Sequence, residues 1–77
     1  MSVKVLYFGS LREKLGRAND DCVPAANARV IDIWSQLNPT LPLPEHTLCA
    51  INQDYVKTDA VIRDEDELAF FPPVTGG

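Results

Sequence analysis

The sequence is poor in the residues that do chemistry. Its 77 residues hold one histidine, two cysteines, one tryptophan and one methionine. The lone His46 stands beside Glu45 in a proline-rich stretch, where it reads better as a solvated loop residue than as a general base. Cys22 and Cys49 form no CxxC pair and no metal-ligand spacing. They make no disulfide framework either, so a reducing cytoplasm is the expected compartment. Cys49 lies between Leu48 and Ala50 and reads as a small core residue rather than a nucleophile. With four glycines there is no phosphate-cradling loop; Gly9 and Gly16 read as punctuation. No apolar run approaches the ~20 residues that span a bilayer. Residues 1–8 alternate and carry Lys4, unlike a signal peptide. Positive charge is also scarce, with seven Lys and Arg against eleven Asp and Glu and a net charge of −4. Those few cations are scattered, which argues against a nucleic-acid partner. The acidic run 64–67 lacks the spacing and glycine of a cation loop and reads as a solvated turn.

What is present is the material of one small folded domain. The chain is 45% hydrophobic and 23% charged, and a second core would lack the apolar residues to close. Residues 3–8 alternate Val3, Val5 and Tyr7 with Lys4, Leu6 and Phe8, so both faces are mostly apolar and a strand covered on two sides is predicted. Ser10-Leu-Arg-Glu13 reads as a capping box opening a short helix that Gly16 would close. Residues 20–23 form a weak strand that would return beside the first. Val30, Ile33, Trp34 and Leu37 fall at i, i+3, i+4 and i+7, the clearest helical stripe in the chain. Asn38-Pro39 ends that helix. Strands follow at 47–51 and 55–57 around a turn at Asn52-Gln53-Asp54, and a last one at 67–71. Placing the first and last strands together at the centre, with the Trp34 helix laid across, would bury both. The predicted fold is therefore α+β with a mixed sheet, of the β-grasp kind.

The end of the sequence stands apart. Phe70-Phe71-Pro72-Pro73-Val74-Thr75-Gly76-Gly77 is a strand stopped by two residues without an N–H, then a stiff and finally slim lead. The domain is read as 1–71 and the flexible tail as 72–77. Six residues reach at most roughly 20 Å. Gly76 and Gly77 have no Cβ, so they can thread a channel too narrow for side chains. A frayed terminus is the plain alternative, but two aromatics and two prolines before it favour a working tail.

Three stretches resemble the small, sulfur-carrier subunits of molybdopterin synthases, a branch of the ubiquitin-like β-grasp proteins. They are Val3-Lys-Val-Leu-Tyr-Phe-Gly-Ser-Leu-Arg-Glu13, Ala50-Ile-Asn-Gln53 and Asp66-Glu-Leu-Ala-Phe-Phe-Pro-Pro-Val-Thr-Gly-Gly77. A terminal Gly-Gly is shared with thiamine-pathway and tRNA-thiolation carriers and with ubiquitin-like modifiers conjugated through the last glycine. The Phe-Phe-Pro-Pro-Val lead favours the molybdopterin branch. Two departures stand out: Glu65 where the family usually has glycine, and Arg29 before the long helix where a Thr or Ser cap is usual, leaving Asn27 as the candidate cap.

The resemblance implies a chain that is catalytic only as part of a synthase. The Gly77 carboxylate would be adenylated at the expense of ATP by a ubiquitin-activating-like enzyme. A persulfide sulfur donor would make it a thiocarboxylate, and the sulfur would pass to a pyranopterin precursor. The implied assembly is a heterotetramer of two small and two large subunits. No bound cofactor, metal, nucleic acid or membrane is implied. Pro72, Pro73, Val74, Thr75 and Gly76 would lie in the partner's groove, partly by strand addition. Phe71, with Phe8 and Tyr55, would form a docking patch. Strand alternation puts Phe71 opposite Phe70, so Phe71 is either core or docking surface.

Overall fold

Val3, Val5 and Tyr7 at alternate positions give β1 (Val3–Tyr7) one face that must be hidden, and the fold is organised around hiding it. The computed structural model describes residues 1–73; Val74, Thr75, Gly76 and Gly77 lie outside the described residues. The element order is β1, α1 (Gly9–Leu15), β2 (Asn19–Cys22), α2 (Val30–Leu37), β3 (Leu48–Ile51), β4 (Asp54–Val56) and β5 (Glu67–Phe71). The five strands form one mixed sheet in the order β2-β1-β5-β3-β4. β1 and β5 are parallel neighbours, with Val5 opposite Leu68 and Tyr7 opposite Phe70. The other pairings are antiparallel. This is the predicted β-grasp arrangement with first and last strands together inside the sheet.

The Val30, Ile33 and Trp34 stripe of α2 is buried against the sheet. Trp34 meets Phe70 edge-on at 5.0 Å between ring centroids and Tyr7 at 6.1 Å, and Tyr7 stacks on Phe70. Val3, Val5, Tyr7, Leu68 and Phe70 are wholly or almost wholly buried. Burial pushes the Tyr7 phenol and the Cys22 and Cys49 thiols above their ordinary pKa values. Cys49 is a core residue, its Sγ 3.2 Å from the Val56 carbonyl.

One polar cluster sits at the margin of this core. The Tyr7 hydroxyl donates to Asp20 at 2.9 Å, and the Arg17 guanidinium donates to Asp20, to the Leu37 carbonyl and to buried Asn38. Arg17 thereby ties the α1–β2 loop to the C-terminus of α2, where the last carbonyls lack helical partners.

Three local expectations are corrected. Ser10 and Glu13 do not cap α1. Its N-cap is Phe8, with no side-chain hydrogen bond, because the Phe8 N–H stays on the sheet, donating to the Phe70 carbonyl at 3.1 Å, and the chain turns at once through Gly9. Asn27 does not cap α2. Arg29 holds that position, and the Asp32 carboxylate accepts its N–H at 2.9 Å; Asn27 instead takes a left-handed turn conformation, φ 61°. Finally, β1 is not covered on both sides. The buried aromatics and α2 share one face, and on the other Lys4 and Phe8 are exposed and Leu6 half-buried. Gly16 closes α1 in the left-handed conformation, as predicted.

Candidate docking face and tail exit

The open side of the sheet is built by the strand residues that alternate with the core. Register fixes its map. Lys4 lies between Asp21 and Glu67, Leu6 between Asn19 and Ala69, and Phe71 opposite Leu48. The face therefore has a polar end and an apolar end. The apolar end carries Phe8, 41% exposed, Tyr55, 71% exposed, and half-buried Phe71. Phe8 stacks on Phe71 with centroids 4.8 Å apart and planes 7° from parallel, while Tyr55 leans on Phe71 at 6.1 Å. These rings line one concavity of about 250 Å³ with Leu6, Ala50, Ala69, Gln53 and Glu67. Contiguous exposed aromatics at the edge of a small domain mark an interaction surface.

The chain leaves the sheet at this apolar end. β5 finishes at Phe71, and the Pro72 ring lies against Gly9, where a Cβ would come within 2.9 Å of Pro72 Cγ. Gly9 has φ +56°, a conformation natural to glycine. Pro73 is exposed. The tail thus departs beside the aromatic cluster, and a partner holding the tail would meet the rings at the same time.

The chain as a whole is similar to proteins of known kind. A profile of the ThiS family matches residues 5–77. The chain belongs to the ThiS family. Among ThiS-family relatives, the molybdopterin synthase sulfur carrier subunit of Escherichia coli (strain K12) is 38% identical, covering 97% of this chain and 99% of that protein. Among solved structures, SAMP1 from Haloferax volcanii superposes with a TM-score of 0.80 at 26% identity, over the full length of both chains. Subunit 1 and 2 of the molybdopterin-converting factor of Helicobacter pylori 26695 form a complex that contains a match with a TM-score of 0.66 at 25% identity, again over both full lengths.

In this ThiS-family chain the structure brings together Phe8, Tyr55 and Phe71, which the sequence named as docking residues, and sets Pro72 and Pro73 beside them. Phe71 resolves to the open face and Phe70 to the core. Val74, Thr75, Gly76 and Gly77 fall outside the described residues. Sequence reasoning missed Leu6, Leu48, Ala50, Gln53, Ala69 and Glu67. Alternation in β5 places Glu67 and Ala69 with Phe71, but their meeting with Gln53 depends on strand register. His46 is exposed in its loop and is not among the residues that line the concavity.

Proposed function

We infer that the chain is the sulfur-carrier subunit of a molybdopterin synthase, with Gly77 as its reactive terminus. The observation that carries this reading is the end-to-end match to curated carrier subunits, joined to a tail that leaves the sheet beside an open aromatic face. A free carboxylate is a poor electrophile because it offers no good leaving group. Attack of the Gly77 carboxylate on the α-phosphorus of ATP, with loss of pyrophosphate, gives an acyl-adenylate whose leaving group is AMP. A donor persulfide attacks that carbonyl and expels AMP, and a thiol cleaves the resulting acyl disulfide to leave a thiocarboxylate. The thiocarboxylate gives its sulfur to the pyranopterin precursor, and two such deliveries build the dithiolene. The acid, base and substrate-binding groups belong to the large subunit. Pro72 to Gly76 act as the lead into that subunit, and Phe8, Tyr55 and Phe71 as the docking patch.

The test is the intact mass of the full chain after incubation with its adenylating enzyme, ATP and a sulfur donor. One oxygen replaced by sulfur at Gly77 is expected. An unchanged mass, where a control carrier reacts, refutes the reading. A second reading, a protein modifier joined through Gly77 to lysine, is favoured by the likeness to SAMP1, and another Haloferax volcanii match is named small archaeal modifier protein 1. Conjugates that persist under reducing, denaturing conditions would support it.

A further inference from the structure

We propose that Glu67 is the specificity-determining residue of the open face, receiving an arginine side chain of the docking partner. The inference rests on the carrier reading above and takes the synthase large subunit as that partner. Most of the residues lining the concavity are apolar, but Glu67 and Gln53 give it a polar rim. Glu67 is half-buried, and among the described residues no cation lies within ion-pairing distance of it, the only ion pair being Arg17 with Asp20. Lys4 is its neighbour in register, but Lys4 has Asp21 opposite it on the other side, so two carboxylates flank one ammonium.

The position of this carboxylate is fixed from behind. The Asn52 N–H donates to the Glu67 carbonyl at 2.8 Å, and the Glu67 N–H donates to Asn52 Oδ1 at 2.9 Å. The Asn52 amide also donates to Asp66 at 3.0 Å. Asn52 and Gln53 both have positive φ, 51° and 73°, the geometry of a tight two-residue hairpin turn. That turn clamps the head of β5 and sets Gln53 on the same rim as Glu67.

Sealing the groove makes the charge decisive. A partner that covers the apolar walls also strips water from Glu67, and a desolvated carboxylate without a partner is strongly unfavourable. The covering surface must therefore bring a cation. A guanidinium suits this rim better than an ammonium: it is less strongly hydrated, it offers a planar fork of donors to the carboxylate and the Gln53 carbonyl, and its flat face can lie on the neighbouring Tyr55 ring. The net charge of −4 favours a cationic partner in the same sense.

The test titrates the full-length wild-type, Glu67→Gln and Phe71→Ala proteins against the cognate large subunit by calorimetry at two salt concentrations. Glu67→Gln keeps the shape and removes the charge. Its Kd is expected to rise about tenfold, and its affinity should depend less on salt than the wild type's. Wild-type affinity in Glu67→Gln overturns the proposal, as does weaker binding with unchanged salt dependence. Phe71→Ala separates the two levels of inference. If Phe71→Ala loses binding while Glu67→Gln does not, the docking face stands and only the role of Glu67 falls. If neither variant loses binding, the docking face falls too. Melting curves of both variants confirm that each is folded.

Discussion

The two faces of this sheet are made by the same strands and nearly the same residue types, yet one is buried and the other open. Tyr7 and Phe70 point to one side; Phe8 and Phe71, one residue further along each strand, point to the other. On the first side Trp34 closes over the rings and leaves Phe70 with no exposed surface. On the second, among the described residues, neither helix lines the concavity of the rings, and Phe8 and Tyr55 pack on Phe71. Hydrophobicity therefore does not tell core from open surface in this chain. What separates them is whether the molecule supplies its own cover, and the uncovered face is the one the tail leaves beside.

The sharpest way to break this comparison is to truncate the adjacent phenylalanines of β5 one at a time. Phe70→Ala should cost about 3–5 kcal/mol in urea unfolding, since it empties the centre of the core. A domain of this size has only about 4–12 kcal/mol in total, so the variant sits near the edge of folding. Phe71→Ala should cost less, about 1–2 kcal/mol, as a half-buried side chain at the surface that packs on Phe8 and Tyr55, while losing most of its affinity for the large subunit. Similar unfolding costs for the two variants would show that the open face is structural after all.

A middle-sized effect belongs to the polar margin of the covered face. Tyr7→Phe removes the hydroxyl that donates to Asp20 and accepts from the Asn38 amide. It should lose about 1–2 kcal/mol, because Asp20 and buried Asn38 are left short of a partner. It should also change the alkaline behaviour. Burial raises the Tyr7, Cys22 and Cys49 pKa values in the fold. Protons held more tightly in the folded state stabilise it below the unfolded pKa values and stop doing so as pH climbs through the folded ones. Stability should thus fall from about pH 8.5 upward as unfolded thiols ionise, and more steeply past about pH 10 as the phenol joins them. Tyr7→Phe should flatten the second part of that decline while the thiol part persists. An identical slope in both proteins would place the alkaline sensitivity elsewhere.

Much of this was legible in the sequence, for reasons that are local. The Val30, Ile33, Trp34, Leu37 stripe needs only helical periodicity, and β5 needs only alternation and a double-proline stop. The pairing of β1 with β5 followed from two strongly apolar strands that had to be buried. Of the open face, Phe8, Tyr55 and Phe71 were named only through the family resemblance; its extent was not legible, because β1 reads as apolar on both sides and nothing local says that the helices will cover only one. The α1 cap was misread for a related reason. Ser10-Leu-Arg-Glu13 is a sound local signal, but the hydrogen bond from Phe8 to Phe70 and the glycine after it fix where the chain turns. The Glu67 rim is a product of register between a hairpin turn and a strand that begins some fifteen residues later, which no window of sequence contains.

The smallest expected effect asks whether the two faces can be tuned separately. Glu65 occupies the turn that leads into β5 with φ +68°, a left-handed conformation that a Cβ disfavours by about 1 kcal/mol. The turn is held by backbone groups and by Asp66 rather than by the Glu65 side chain. The Glu65 N–H donates to the Ser2 carbonyl at 3.0 Å, and the Asp66 carboxylate accepts the Arg63 N–H at 2.9 Å. Glu65 is itself exposed. Glu65→Gly should therefore relieve strain without losing a contact, though part of the gain is offset by the extra freedom glycine gives the unfolded chain. A net stabilisation of about 0.5 kcal/mol is expected in urea unfolding. Affinity for the large subunit should not move, because the Asn52 clamp, not the Glu65 turn, sets the position of Glu67. Should affinity rise together with stability, the head of β5 would be mobile enough to limit docking, and the open face would depend on the fold's stability as closely as the covered one does.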